Sequence, residues 1–308
     1  MTAAAQQDDH CEDDMTNRID FPKPVCFALI GWLLVGHSIY VLADESALQF
    51  MDAGKPVQTM TRKDLAEKIP ATSLVVKNPT TSQTVTYQGV ALPSLLSLAF
   101  GDRWKSAELV KFETRDGYQP VMPVAVIQKH TGLVAYADAG ADQLLPIGDG
   151  HGGRVNPGPF YLVWENLKDA QAKNDAWLQW PWQLVRIELT SVEREYPRTA
   201  PPPGASESVL RGFNSYLGHC SKCHQINGEG GSVGPELNAP VNVTEYWQAE
   251  WLPRFIADPQ SIRHNSKMIG FQSGSPDKSA EIDDIIAYLR AMKDRKLPPP
   301  ESVNQAAE

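Results

Sequence analysis

Cys220-Ser221-Lys222-Cys223-His224 sets two thiols three positions apart, one helical turn, with an imidazole directly after the second. At this spacing two thiols can add to the two vinyl groups of a haem while the adjacent histidine reaches the iron from one side. The same residues could also serve as a redox dithiol or as half of a zinc site. A thioredoxin-type dithiol opens a helix after a strand, whereas this pair follows a helical pattern, and no second Cys/His pair at zinc spacing lies nearby. The remaining cysteines, Cys11 and Cys26, lie before residue 44, so this is the one pair in the rest of the chain. One covalently bound haem c is therefore the expected cofactor, attached at Cys220 and Cys223, with His224 on the iron.

The opposite face of such an iron needs a ligand, and the downstream candidates are Met268, Met292 and His264. Met292 falls on an apolar helical stripe, where a methionine usually packs in the core. Met268 stands in the irregular stretch SKMIGF about forty residues past the histidine, where the chain can wrap to the distal side. Met268 is the favoured ligand, with His264 the next choice.

Around these residues, 206–296 reads as helical at both ends with a glycine- and proline-rich middle. Val209, Phe213, Tyr216, Leu217 and Cys220 keep helical spacing up to the cysteines, and Ile282, Ile285, Ile286, Leu289 and Met292 form a second apolar stripe. Ninety residues with so few strands need something else at the centre to fill the core.

Residues 207–296 resemble a class I cytochrome c domain. Gly212, Tyr216 and Cys220 at spacing four match that family's first helix, Gly234-Pro235-Glu236-Leu237 its loop on the histidine side of the haem, Trp251 to Met268 the stretch leading to the methionine, and Tyr288-Leu289 its last helix. Ile269 stands where many members have proline. The resemblance implies an all-α domain with one low-spin haem, His224 and Met268 both on the iron, and no open coordination site. Glycine at 212 is expected to let the first helix approach the last at Tyr288.

Residues 44–195 read as a mixed α+β domain. A helix capped by Thr61 runs through Lys68, and β-branched runs flank the Asn78-Pro79 turn signal. An apolar helix follows Gly89, and strands are expected at 109–114, 161–164 and 184–189 with a turn at Asp116-Gly117. Thr86 to Leu92 with Leu95-Leu96, Lys111-Phe112-Glu113 ahead of Asp116-Gly117-Tyr118, and Trp182 to Leu189 resemble the molybdopterin-binding domain of the sulfite oxidase family. Enzymes of that family hold molybdenum through a cysteine thiolate in the segment before the Tyr-Gln-Gly-Val stretch. Here that segment, SLVVKNPTTSQTV, has no cysteine, so a molybdenum cofactor is not expected and the domain is read as a docking module.

Other features of this half have ordinary explanations. Gly148 to Gly153 with His151 and Arg154 could cradle an anion, but a surface turn explains the glycines. Trp177, Trp180 and Trp182 are expected to pack at the core and rim. His130 and His219 are expected to be surface histidines.

With 308 residues, 42% hydrophobic and 21% charged, the chain has material for about two domains and is neither disordered nor a polytopic membrane protein. A net charge of −9 and four cysteines exclude a nucleic-acid surface and a disulfide scaffold. Val25 to Val35 is an apolar run of signal-peptide length preceded by Arg18 and Lys23, with Val41-Leu42-Ala43 suited to cleavage before Asp44. The rival is an uncleaved anchor over 24–43, spanning roughly 30 Å at about 1.5 Å per residue, with His37 and Ser38 inside the bilayer. Five acidic and no basic residues in 1–14 do not suit the n-region of a signal peptide, whereas a start at Met15 gives an ordinary one, so Met1 and Met15 both stand as starts. Losing residues 1–43 removes six acidic and two basic side chains and moves the charge from −9 to −5.

The expected organisation is a leader or anchor over 1–43, the sulfite-oxidase-like domain over 44–195, a proline-rich linker over 196–206, the cytochrome domain over 207–296 and a polar tail over 297–308. The expected role is an exported, periplasmic one-electron carrier with protein donor and acceptor in the cell envelope and no nucleic-acid partner. The alternatives are a haem subunit of an oxidoreductase complex with its catalytic cofactor on another chain, and an enzyme whose N-terminal domain still binds a pterin or other ligand.

Overall fold

The computed structural model describes residues 47–298 apart from 151, 170, 173, 174, 273, 275 and 276. The leader or anchor expected over 1–43, His151 and nearly all of the tail lie outside the described residues.

The N-terminal region is β-rich. Its strands are β1 (Ala47–Asp52), β2 (Lys55–Thr61), β3 (Thr72–Lys77), β4 (Thr84–Ala91), β5 (Leu109–Thr114), β6 (Val121–Pro123), β7 (Gly132–Asp138), β8 (Ile147–Gly148), β9 (Arg154–Val155), β10 (Tyr161–Trp164) and β11 (Leu184–Thr190). Between them lie α1 (Arg62–Lys68), α2 (Leu92–Phe100) and α3 (Val124–Ile127), and α4 (Val192–Glu195) follows the last strand. One sheet has the order β2-β1-β11-β5-β6, with β1 parallel to β11 and the other pairs antiparallel; the second is an antiparallel sheet in the order β10-β7-β4-β3.

Local chemistry sets several of these boundaries. The Thr61 hydroxyl accepts from the Asp64 amide while the Asp64 carboxylate accepts from the Thr61 amide, a capping box that opens α1. The Asn78 side chain accepts from the amides of Thr80 and Thr81 at 2.9 and 3.1 Å and turns β3 into β4. The main core gathers Phe50 and Ile187 from the first sheet, Leu95 and Leu96 from α2 and Val134 from the second sheet. The far face of the second sheet packs Val76, Tyr87, Leu133 and Tyr161 into a smaller core, with Trp180 and Trp182 at its edge. Strand β7 is buried on both faces and so shows no polar alternation.

The C-terminal region is helical, with α5 (Glu207–His219), α6 (Val243–Tyr246), α7 (Trp251–Ala257), α8 (Pro259–Ile262) and α9 (Lys278–Met292). The middle, expected to be irregular, thus carries three short helices. Helices α5 and α9 form its spine and touch at Gly212, where an added Cβ would lie 1.9 Å from the Asp284 carbonyl oxygen and 2.9 Å from Tyr288 Cβ. Only glycine permits that approach. It brings Phe213 and Tyr216 each to 5.4 Å, centroid to centroid, from Tyr288, and Arg211 grips Asp284 with two nitrogens at 2.7 and 3.0 Å.

The proline-rich segment is not a free spacer. Tyr196 and Thr199 are buried, Thr199 Oγ1 donates to the Ile226 carbonyl at 2.9 Å, and the Thr199 carbonyl accepts from Tyr288 Oη at 2.7 Å. The Arg198 amide donates to the Glu229 carboxylate, and its carbonyl accepts from Asn227 Nδ2. Residues 196–200 are a strap across the helical region. Leu109, Val121 and Tyr196 join that region's core, and the described residues form one compact unit.

Candidate haem-binding site

Helix α5 delivers the two thiols. Cys220 is its C-cap, with its amide on the Tyr216 carbonyl at 2.8 Å, and the amides of Cys223 and His224 then fold back onto the Cys220 carbonyl at 3.0 and 2.9 Å. The helix thus closes in a turn that carries Cys220, Cys223 and His224 within five residues. Ser221 anchors the turn by donating to the Leu217 carbonyl at 2.8 Å, and the buried Lys222 donates to the Gly218 carbonyl at 3.1 Å.

Both cysteines are free and half-buried. Burial pushes the Cys220 thiol up to about 12 and the Cys223 thiol to about 11, outweighing the opposing charge of Lys222. Burial holds His224 below the usual histidine range and so favours the neutral ring, the form that binds metals. Its Nδ1–H donates to the Pro235 carbonyl at 2.8 Å, which fixes the tautomer and leaves Nε2 for an iron.

The loop that supplies that carbonyl lies flush against the ring. A Cβ on Gly234 would sit 2.4 Å from His224 Cε1, and the Gly234 amide donates to the Cys223 carbonyl at 2.7 Å. Glu236 ties the loop together, its carboxylate accepting from the amides of Asn227, Gly228 and Asn238 at 2.9 to 3.0 Å. Cys220 and Leu237 pack against the apolar core that includes Leu252, Ile256 and Phe271, which suits a porphyrin. Donor set, tautomer and apolar surroundings together fit a covalently held haem.

Of the three candidates for the other iron face, Met292 is fully buried in the core and His264 is exposed in a turn. Met268 is half-buried, on a separate segment after α8, its amide donating to Ser266 Oγ at 3.3 Å. That segment folds back onto α7, where the Phe271 amide lies 3.2 Å from the carbonyls of Ile256 and Ala257.

The N-terminal region reaches this turn, which local sequence patterns do not show. The Gln119 amide donates to the Lys222 carbonyl at 2.9 Å, and the Ser232 amide donates to the Gly117 carbonyl at 3.0 Å. Tyr118, between them, donates to Gln179 Oε1 at 2.7 Å, and its pKa is raised well above the usual tyrosine value by burial and by nearby Cys223. Trp177 lies against Gly218 on α5.

Of the two histidines expected at the surface, His130 is buried and His219 half-buried, and each meets a carboxylate. His130 Nδ1 is 2.5 Å from Asp169 Oδ2 and its Nε2 is 3.8 Å from Asp175 Oδ2. His219 Nε2 is 3.2 Å from Glu281 Oε1, and its ring packs at a tilt on Phe271 with centroids 4.4 Å apart. At the glycine-rich hairpin, the exposed Arg154 donates to the Pro146 carbonyl and the Gly153 amide to Asp149, so these donors are engaged within the hairpin. In the segment ahead of Tyr87, Val76 and Asn78 are buried and no thiol is present, so these residues do not fit a thiolate-held molybdenum.

Residues 209–293 match the family model for cytochrome c. No curated protein matches the chain. Among the described residues no group of three or more His, Cys, Asp or Glu could hold a metal ion, and no helix is long and apolar enough to cross a membrane.

Proposed function

We propose that this chain is an exported monohaem c-type cytochrome that carries single electrons between protein partners in the cell envelope, rather than an enzyme acting on a small substrate. The observation that carries this reading is the attachment turn itself, with two thiols and an imidazole whose Nδ1 is tied to Pro235. Haem held there supplies a one-electron couple between ferrous and ferric iron. Cys220 and Cys223 would hold it covalently, His224 would present Nε2 to the iron, and Met268 would supply the second protein ligand. The apolar residues around Cys220 exclude water, and a thioether ligand raises the potential.

The N-terminal domain, sulfite-oxidase-like by the resemblance of its packing and turn residues, serves as a docking module without molybdenum. Its contacts at Lys222 and Ser232 also favour a second reading, a haem subunit of a larger oxidoreductase of the sulfite dehydrogenase kind whose catalytic cofactor sits on another chain.

The axial pair is tested on the oxidised holoprotein by the weak sulfur-to-iron absorption band at the red end of the visible spectrum. Met268→Ala is expected to abolish the band and lower the midpoint potential. A band that survives in the variant assigns the position to another residue.

A further inference from the structure

Three carbonyls of the turn that carries Cys220 and Cys223 are each taken by a backbone amide. Ser221 accepts from Gly231 at 2.7 Å, Lys222 from Gln119 at 2.9 Å and Cys223 from Gly234 at 2.7 Å. Two of these donors lie on one loop, residues 229–237, and so does the Pro235 carbonyl that accepts from His224 Nδ1. The loop presses bare backbone on the turn, since a Cβ on Gly231 would sit 1.9 Å from the Lys222 carbonyl oxygen. What fixes it is found at its ends. At one end β12 (Gln225–Ile226) and β13 (Glu229–Gly230) pair through an Asn227-Gly228 turn with φ of 55° and 82°. Both turn amides go to Glu236, Asn227 to Oε1 at 2.9 Å and Gly228 to Oε2 at 3.0 Å. From the other end Asn238 and Ala239 donate to Oε1 at 2.9 and 3.2 Å. The buried Asn238 joins the same two ends again by donating from Nδ2 to Asn227 Oδ1 at 2.9 Å.

We propose that Glu236 is a positioning residue for His224. By closing the two ends of the loop it holds the Pro235 carbonyl on Nδ1 and the ring in one orientation, and so sets the potential of the iron that His224 would bind. The proposal deepens the haem reading above and rests on it. The chemistry calls for a carboxylate, because four amide donors need two acceptor oxygens and charge-assisted bonds are the stronger ones. Glutamine has the same shape but one oxygen. With that oxygen in the place of Oε1 its NH2 faces the Gly228 amide, and flipped it faces the other three. The Nδ1–H bond to a carbonyl makes a histidine ligand more basic, which favours ferric iron. A loosened loop weakens that bond, and losing the negative charge acts in the same direction, so both effects raise the potential.

The test uses full-length holoprotein whose covalent haem has first been confirmed by the mass of the denatured chain. A parent without haem overturns the haem reading and this proposal together, whereas the outcomes that follow overturn the proposal alone. Hydrogen exchange followed by NMR on the ferrous parent is expected to find His224 Nδ1–H and the amides of Asn227 and Gly228 protected. Free exchange of these two amides removes the brace, whatever any variant does. Glu236→Gln is expected to speed exchange of the Nδ1–H by about tenfold. At the parent's midpoint it should lower the ratio of ferric to ferrous protein by about threefold, an upward shift of about 28 mV at 59 mV per tenfold. Glu250→Gln removes the same charge from an exposed position in the same region and is expected to leave both readings at the parent's values. A Glu236→Gln variant that only unfolds more easily, with Nδ1–H exchange and potential unchanged, makes Glu236 a residue of the scaffold and overturns the proposal. An equal potential shift in Glu250→Gln overturns it as well, because charge alone then accounts for the change.

Discussion

His219, one residue before the first attachment cysteine, shows how burial changes a side chain's role. Its pKa falls below the ordinary 6.5 because desolvation and Lys222 outweigh the pull of Glu281. The unfolded chain therefore binds a proton at pH values where the folded chain does not, so this stabilising contribution is present above about pH 6.5 and is lost as the pH falls through it. His219→Gln can still donate to Glu281 but does not titrate, and it is expected to flatten the decline of denaturation midpoint between about pH 7 and pH 5. A decline parallel to that of the parent contradicts the assignment. At this scale the candidate residues are legible as a local pattern, two thiols and an imidazole within five positions, and the structure carries all three on one turn. The Pro235 carbonyl that fixes the His224 tautomer is not legible, because its role depends on a loop closing over eleven residues.

Among the elements, α5 and α9 were readable from their apolar stripes, and Gly212 marked where they touch. Strand β7 was missed because both its faces are buried and period-two alternation disappears. The proline-rich segment was misread more instructively. Proline does exclude helix and central strand, but the buried Tyr196 and Thr199 make the segment a strap rather than a spacer. A fragment begun at residue 205 loses the Thr199 bonds to Ile226 and Tyr288 and the Tyr196 ring from its core. It is expected to be less stable than one begun at residue 192 by on the order of 3–5 kcal/mol, the usual cost of removing a buried aromatic ring. Denaturant titration of both haem-loaded fragments measures the difference, and equal midpoints contradict the strap.

Over the whole molecule, the described residues form one unit in which the hairpin loop at Gly117–Gln119 sits on the turn that carries Cys220 and Cys223. The contact pairs Gly117 with Ser232, positions more than a hundred residues apart, and no local pattern announces such a pairing. A fixed neighbour beside the haem is a different device from a tethered one, since it shapes what can reach the turn instead of raising a local concentration. All of this depends on haem being joined to both thiols, and Lys222 between them offers a direct test. Trypsin cuts the denatured chain after Arg211, Lys222 and Arg254, which places Cys220 and Cys223 on separate peptides, 212–222 and 223–254. Mass spectrometry of the digest is expected to find these two peptides joined through a single haem. Two separate peptides with unmodified thiols, or haem that leaves the protein in acidified solvent, would contradict the account.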